Sequence, residues 1–447
     1  MNVADSQRLA VELEALGYRP SDQAEESDVI VLNACVVRQS AENKAYNRLR
    51  SLEPLKSKHP TLVIAVMGCL VGHRDPSPLR ERFPFVDVFL PPSEPQPLVH
   101  LLRARQQNGT IRTAGPPLAA RPANDKTTDS LSLIPPSQRG RLVTCNVPII
   151  YGCNHACSYC IVPSRRGRER SRPLPEIKAG IESLVAQGLR EVTLVGQIVD
   201  RYGYDLPGDI RLQHLLRSLS EVDGLYRIRF LTSHPSYMTD DVLNAVAELD
   251  KVCEHIEVPV QAGDDDVLRS MRRGYTVSDY RRLIDRIRIQ LPTSSIATDI
   301  IVGFPDESHE QFQRTYDLLE DLELDKAHIA MYSPRPGTLA AAKLADNIPR
   351  DVKKQRWKAL DRLQTEIAAR INSCLVGEDI EILVEDKHKG KWRGRTRTNK
   401  LVFFADDGEW GGALVTVRIT WAGAWWMQGT LTGEPAGYVV PQQSRSL

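Results

Sequence analysis

Residues 152–160 read GCNHACSYC, three cysteines spaced C-x-x-x-C-x-x-C directly after the apolar run Val143–Ile150. That run predicts a buried strand, so the thiols are expected on a loop at a strand's end. Three thiolates on one short loop fit three irons of a cubane [4Fe-4S] cluster and leave the fourth iron open for a small ligand. S-adenosylmethionine (SAM) suits that place. Its amino and carboxylate groups chelate the iron, and an electron from the cluster cleaves the sulfonium bond to a 5′-deoxyadenosyl radical. Cys153, Cys157 and Cys160 are therefore read as metal ligands, with the aromatic Tyr159 between the last two. The alternative is a structural zinc site, which needs a fourth ligand that His155 is placed to supply.

Downstream of the triad, candidate strands Glu191–Val195, Arg227–Leu231, His255–Val260, Ser295–Val302 and Lys326–Met331 are mostly separated by helical segments. With Val143–Ile150 they make six strand–helix units, which predict a partial parallel (β/α)6 barrel. Active sites of such barrels lie at the C-terminal ends of the strands. Gly196 and Gln197 follow the second strand, Gln261 and Gly263 the fourth, and Gly303 the fifth. These five are expected to bind SAM, the first two at its methionine end and the others at ribose and adenine. The bland alternative is that the glycines only permit turns. Upstream, Asp5 and Ser6 are expected to cap a helix with Leu9, Leu13 and Leu16 on one face and Gly17 at its end. Asp28–Cys35 and Leu62–Cys69 read as buried strands and Phe85–Leu90 as a third, giving a small open α/β domain. Residues 109–138 are rich in proline, serine and threonine and read as a linker. From about Asn372 the pattern turns to short alternating strands with glycine turns, a small β-barrel. The expected fold class is thus α/β: an N-terminal open α/β domain at 1–108, the linker, a central barrel core at 139–369, a small β-barrel at 370–436 and a tail at 437–447.

The chain has 447 residues, enough for two or three cores, and a net charge of +1. No global field draws it to nucleic acid, so such contact must come from local basic patches. The start lacks the basic-then-apolar pattern of a secretion signal. The longest apolar run, about Leu62–Gly72, is too short to span a bilayer, so no membrane is expected and the location is read as cytoplasmic. Eight cysteines in that compartment are not a disulfide framework. Cys35 and Cys69 each end a strand, where ligands of open sheets bind, which suggests a second metal site; the alternative is two small buried side chains. Cys145, Cys253 and Cys374 are expected in the core. Arg165, Arg166, Arg168, Arg170 and Arg172 crowd the segment after the triad and are expected to touch RNA phosphates or the SAM carboxylate. Lys391, Arg393, Arg395, Arg397 and Lys400, interleaved with Trp392, Phe403 and Phe404, suit RNA backbone contact with base stacking, one of the two phenylalanines being expected in the core. Trp421, Trp425 and Trp426 are expected to pack in the core or between domains.

The loop continues CIVPSRRGRERSRP (Cys160–Pro173), and the chain also carries NACVVRQSAENK (Asn33–Lys44), GQIVDRYGYDL (Gly196–Leu206), TSHPSYMTDDVL (Thr232–Leu243), VPVQAGDDDVLRSMRRGYT (Val258–Thr276), TDIIVGFPDE (Thr298–Glu307) and YSPRPGT (Tyr332–Thr338). Through almost its whole length it resembles the radical-SAM methylthiotransferase family, and most of all its tRNA branch. GRTRTNKLVFF (Gly394–Phe404) resembles the signature of the TRAM RNA-binding module. The resemblance implies two [4Fe-4S] clusters, with Cys35 and Cys69 among the ligands of an auxiliary, sulfur-bearing one. It implies that one SAM methylates that sulfur and a second yields the radical. It implies tRNA as partner, carbon 2 of an N(6)-isopentenyl-type adenosine beside the anticodon as target, an electron donor such as flavodoxin or ferredoxin, and a monomer. The rival targets are N(6)-threonylcarbamoyladenosine and an aspartate of a ribosomal protein; a rival of another class is a non-catalytic RNA-binding iron–sulfur protein. Where the family usually has Asn, this chain has Ile198. Family members also place a third cysteine just ahead of a segment like MNVADSQ, and no strand precedes the first helix here. The N-terminal domain is therefore expected to be truncated at its start, without its first strand and one auxiliary ligand.

Overall fold

The computed structural model describes residues 1–73, 75–107, 135–140 and 142–433. Most of the expected linker and all of the expected tail at 437–447 lie outside them. In the N-terminal domain, β1 (Val29–Asn33), β2 (Val63–Met67) and β3 (Val88–Leu90) form a parallel sheet in the order β1-β2-β3. The central strand, VIAVM, is buried throughout because helices cover both of its faces, as parallel sheets require. The half-buried β1 is paired on one side only. The first helix runs Asn2–Ala15 and begins ahead of Asp5 and Ser6, so neither caps it. Asp5 is instead buried, accepting from Ser93 Oγ and Arg166 Nη2. Leu9 and Leu16 are buried and Leu13 packs beside them, as the spacing predicts.

The central core opens with β4 (Thr144–Pro148), followed by a short antiparallel pair, β5 (Ile150–Tyr151) with β6 (Arg170–Ser171). The single strand expected over 143–150 therefore breaks after Pro148, a residue with no N–H to give to a ladder. Next come β7 (Glu191–Val195), β8 (Arg227–Phe230), β9 (His255–Glu257), β10 (Ser295–Val302) and β11 (Lys326–Met331). Parallel ladders join β4-β7-β8 and β9-β10-β11, and a bridge from Ile228 to Val252 closes the gap between them. The six strands thus make the expected open arc. Val192, Leu194, Ile228, Ile256 and Ile300 turn into one large core shared with the surrounding helices. A long helix, Arg350–Ser373, closes this part of the chain.

The C-terminal barrel is closed in the order β12-β13-β14-β16-β15, with β12 at Asp379–His388, β13 at Lys391–Thr396, β14 at Leu401–Phe404, β15 at Leu414–Ala422 and β16 at Met427–Leu431. Alternation sorts the side chains. Trp392, Val402, Phe404, Val417 and Met427 point inward, and Phe403 points out. Trp421, Trp425 and Trp426, expected in the core or between domains, are 46%, 49% and 37% exposed. A bulge between Ile419 and Trp421 turns the first outward, and the other two lie on the β15–β16 hairpin. Cys145 and Cys253 are buried as expected, but Cys374, at the end of the long helix, is exposed. Among the described residues no helix is long and apolar enough to cross a membrane.

Candidate functional site

The triad loop leaves β5 at the C-terminal end of the arc. Gly152 opens it with φ of +67°, and a side chain there would run into the Arg168 carbonyl. The loop is fixed at both ends. Cys153 N–H donates to Gly167 O (3.2 Å), Ser158 N–H and Oγ donate to Met271 O (3.0 Å) and Ser270 O (2.7 Å), and Ala340 N–H donates to Ser158 O (2.7 Å). Burial pushes the Cys153 thiol up to about 11 and that of Cys160 to about 12, and the other thiols of the triad push the same way. Three thiols on one short loop are a donor set suited to iron, whose positive charge stabilises thiolates. One guanidinium assists. Arg273, itself buried, donates from Nη1 to Cys157 Sγ (3.3 Å) and from Nε to Tyr275 Oη (2.9 Å). Reading by residue type passes over Arg273, although it stands in the family-like segment Val258–Thr276.

The zinc alternative fares worse. Such a site needs a fourth ligand beside the three thiols. Among the described residues no three His, Cys, Asp or Glu side chains are gathered so as to hold a metal ion. His155 does not turn to the thiols as a fourth ligand: its Nε2 lies 3.1 Å from Tyr237 Oη and its ring packs on His234.

Beside the triad lies a cavity of about 890 Å³. Tyr159 and Cys160 form one wall and Gln261, Asp299 and His328 of the barrel another. Arg38, Gln39 and Asn43 of the N-terminal domain face them. Arg335, in the segment after β11, ties the two sides together by donating to Gln39 Oε1 (2.6 Å) and pairing with Glu42. Burial raises the Asp299 carboxyl while Arg38 and Arg273 pull it down, and burial lowers His328, with Lys326 and Arg38 adding to the effect. Of the five residues expected to hold SAM, Gln261 lines this cavity, with φ of +77° and its backbone bridged to β10. Gly263 has a packing reason to be glycine: a Cβ there would come 2.5 Å from Thr315 Cα. At Gly196 it would meet Ile150 Cγ2 and at Gly303 the Lys353 stem. Gln197 is partly buried beyond β7.

Cys35 and Cys69 follow β1 and β2 on one edge of the N-terminal sheet. The close approach of Gly68 to Asn33 and Ala34 seats the two strand ends together, and Cys35 adds to the upward push on the Cys69 thiol. Burial raises the Cys69 thiol, and Arg166 opposes that by donating from Nε to its Sγ (3.2 Å). Arg166, expected on RNA or SAM, is buried instead, bridging the triad segment to Cys69, Asp5 and Asn2. Arg172 is likewise turned inward, to Pro148 O and Glu176, and Arg165 packs on Gly72. Arg168 and Arg170 are exposed.

The terminal barrel sits at the opposite ends of the core strands. Arg227 and Arg229, buried at the start of β8, donate to the carbonyls of Arg395, Thr396 and Arg397. Arg397 pairs with Glu254 (2.5 Å) and Lys400 with Asp325 (2.6 Å). Arg395 pairs with Glu385 of its own barrel. The expectation that these three grip RNA is thus redirected, because acids of the protein already hold them. Lys391 and Arg393 stay near the surface, bonded to Gln428 and Asp386.

Comparison with known proteins follows this division. Residues 147–319 match the Radical SAM superfamily, residues 1–91 the uncharacterized protein family UPF0004 and residues 374–432 the TRAM domain. The chain is 45% identical to the tRNA-2-methylthio-N(6)-dimethylallyladenosine synthase of Herpetosiphon aurantiacus, over 97% of this chain and 95% of that one. It is 46% identical to the enzyme of the same name from Roseiflexus sp., over 96% and 87%. Among solved structures, the radical SAM methyltransferase TsrM from Kitasatospora setae superposes with a TM-score of 0.54 at 16% identity, over 76% of this chain and 72% of that one, a likeness of fold.

Proposed function

The chain belongs to the radical-SAM family of tRNA-2-methylthio-N(6)-dimethylallyladenosine synthases, and from that we infer that it adds a methylthio group to carbon 2 of N(6)-dimethylallyladenosine beside the anticodon of tRNA. The observation that carries this reading is the placement of the triad, with Cys160 on the wall of a cavity that the N-terminal domain closes from the other side. When bound, a [4Fe-4S] cluster supplies the electron that cleaves SAM to the radical which removes the carbon-2 hydrogen. Cys153, Cys157 and Cys160 hold that cluster, and Arg273 offsets the charge at Cys157. Gln261 presents backbone and side chain to the bound SAM from the opposite wall. Cys35 and Cys69 supply two ligands of an auxiliary cluster that carries the transferred sulfur, with Arg166 fixing Cys69 against the core. A cytoplasmic flavodoxin or ferredoxin delivers the electrons, and the enzyme works as a monomer.

The test is anaerobic reconstitution followed by two readouts. Reduced protein should convert SAM to 5′-deoxyadenosine, and Cys157→Ala should lose both that conversion and the cluster's visible absorbance. Nucleosides of tRNA from a strain lacking the gene, with and without its restoration, should differ in methylthio-dimethylallyladenosine by mass spectrometry. Restoration of a threonylcarbamoyl product instead would overturn the substrate.

A further inference from the structure

The acids that hold Arg397 and Lys400 leave open which surface carries RNA to the cavity. The helix Arg350–Ser373 has 24 residues, about 36 Å at 1.5 Å per residue. Its first turns open on the cavity, where Arg350, Lys353 and Trp357 form part of the wall. At its other end Asn372 Nδ2 donates to Gly423 O (2.8 Å) and Ala424 O (3.1 Å), the turn of the hairpin that carries the three exposed tryptophans. One element therefore joins the reaction cavity to the aromatic hairpin.

The outer face of this helix carries a row of cations, with the acids Asp351, Asp361 and Glu366 beside it. Arg350, Lys354, Lys358 and Arg362 follow one another at i, i+4 and are all exposed. Arg362 has Glu366 at 3.5 Å, while Arg350, Lys354 and Lys358 have no charged partner among the described residues. Four successive cations, on a chain whose net charge is +1, make the kind of local stripe that nucleic-acid contact requires.

At the hairpin the barrel's outer face continues the pattern. Strand register sets Arg393 beside Phe403, Phe403 beside Gln428 and Gln428 beside Trp421. Trp426 stacks against both Phe403 (5.7 Å, edge-on) and Trp421 (4.5 Å). Lys391 reaches the same row through Gln428 (3.0 Å). Large exposed aromatics flanked by cations suit unpaired bases with their phosphates, since every base has a π-face and every phosphate a negative charge.

We propose that the basic stripe of helix 350–373 and the Trp421–Trp426 hairpin form one track for the substrate RNA, the stripe binding backbone phosphates and the tryptophans stacking unpaired bases about 36 Å from the cavity. This rests on tRNA being the substrate. The test compares full-length wild type with Lys354→Gln/Lys358→Gln/Arg362→Gln and with Trp421→Ala/Trp425→Ala, measuring affinity for dimethylallyladenosine-containing tRNA as a function of salt. The charge variant should lower the slope of log K against log salt by about 0.7–0.9 for each phosphate it no longer neutralises. The tryptophan variant should bind on the order of tenfold more weakly for each base it no longer stacks, at unchanged slope. SAM cleavage without RNA should be unchanged in both. Lysine-to-arginine and tryptophan-to-tyrosine versions should recover binding, which separates contact from misfolding. Wild type that binds tRNA alongside variants with the same affinity and slope overturns the track and leaves the function standing. Wild type that binds no tRNA overturns both. A tryptophan variant that changes oligomeric state in sedimentation, with tRNA affinity intact, assigns the hairpin to a second copy of the chain and overturns the proposal.

Discussion

Replacing Arg229 with methionine should release the terminal barrel from the core. Arg229 and Glu191 are 3% and 4% exposed and meet at 2.9 Å. The same guanidinium donates to Arg397 O at 2.5 Å and Thr396 O at 2.7 Å, the loop that docks the barrel. Methionine fills most of the stem's volume, so the cost is electrostatic. Glu191 would be left as a buried charge without its partner, and its Oε2 has no other hydrogen bond to fall back on. Breaking a buried pair from one side costs about 3–5 kcal/mol. A loss of about 4 kcal/mol in unfolding free energy is expected from urea titrations followed by tryptophan fluorescence, which reports on the barrel through its buried Trp392. Adding Glu191→Gln to Arg229→Met should recover more than half of that loss, because the stranded charge is gone. Intact affinity for SAM, alongside weaker binding of tRNA, should accompany the single change. A loss below about 1 kcal/mol, or a double variant as unstable as the sum of the singles, would refute this account of the docking.

Three further outcomes are expected. Asp200 is fully buried and its carboxyl is raised from 3.8 to about 8, chiefly by burial. The folded state therefore keeps a proton that the unfolded chain gives up above pH 4, and stability falls as pH rises from about 4 to 8, by on the order of 5 kcal/mol at most; Asp200→Asn should match wild type near pH 4 and exceed it at pH 8.5 in urea midpoints, and equal curves at both pH values would exclude a buried titration. Gly263→Ala should destabilise by about 3 kcal/mol in thermal unfolding, because the added carbon meets Thr315 Cα and the Arg314 carbonyl, which are backbone and have no rotamer to change. Arg166→Met should strand Asp5, 3% exposed, and loosen the N-terminal domain by about 3 kcal/mol, seen as faster proteolysis of residues 1–107 with iron at the triad retained.

The triad was legible in the sequence because it is local: three thiols within eight residues fix their own chemistry before any tertiary contact forms. The core strands were legible for a related reason, since runs such as EVTLV and SIATDIIV are rich in β-branched residues and buried along most of their length. Destinations of long charged side chains were not legible. Arg166 and Arg168 stand two apart in one basic run, yet one is buried against Cys69 and the other exposed, and only the packing of the N-terminal domain separates them. Arg397 and Lys400 looked free because Glu254 and Asp325 lie 143 and 75 residues away. The tryptophans misled in the opposite sense: aromatic residues default to burial, and a single bulge after Ile419 turned Trp421 out. The i, i+4 spacing of Arg350, Lys354, Lys358 and Arg362 is plain in the sequence, but nothing local says that the helix bearing it begins at the cavity.

The bond from Arg335 to Gln39 and Glu42 spans nearly 300 positions of chain. During synthesis the N-terminal domain is made first and must wait for most of the protein before its side of the chamber meets the other. A nascent chain that has passed Cys160 already carries the three thiols, yet it lacks the barrel wall formed by Gln261, Asp299 and His328. The clasp at Arg335 therefore joins the two walls of the chamber only after both have been made.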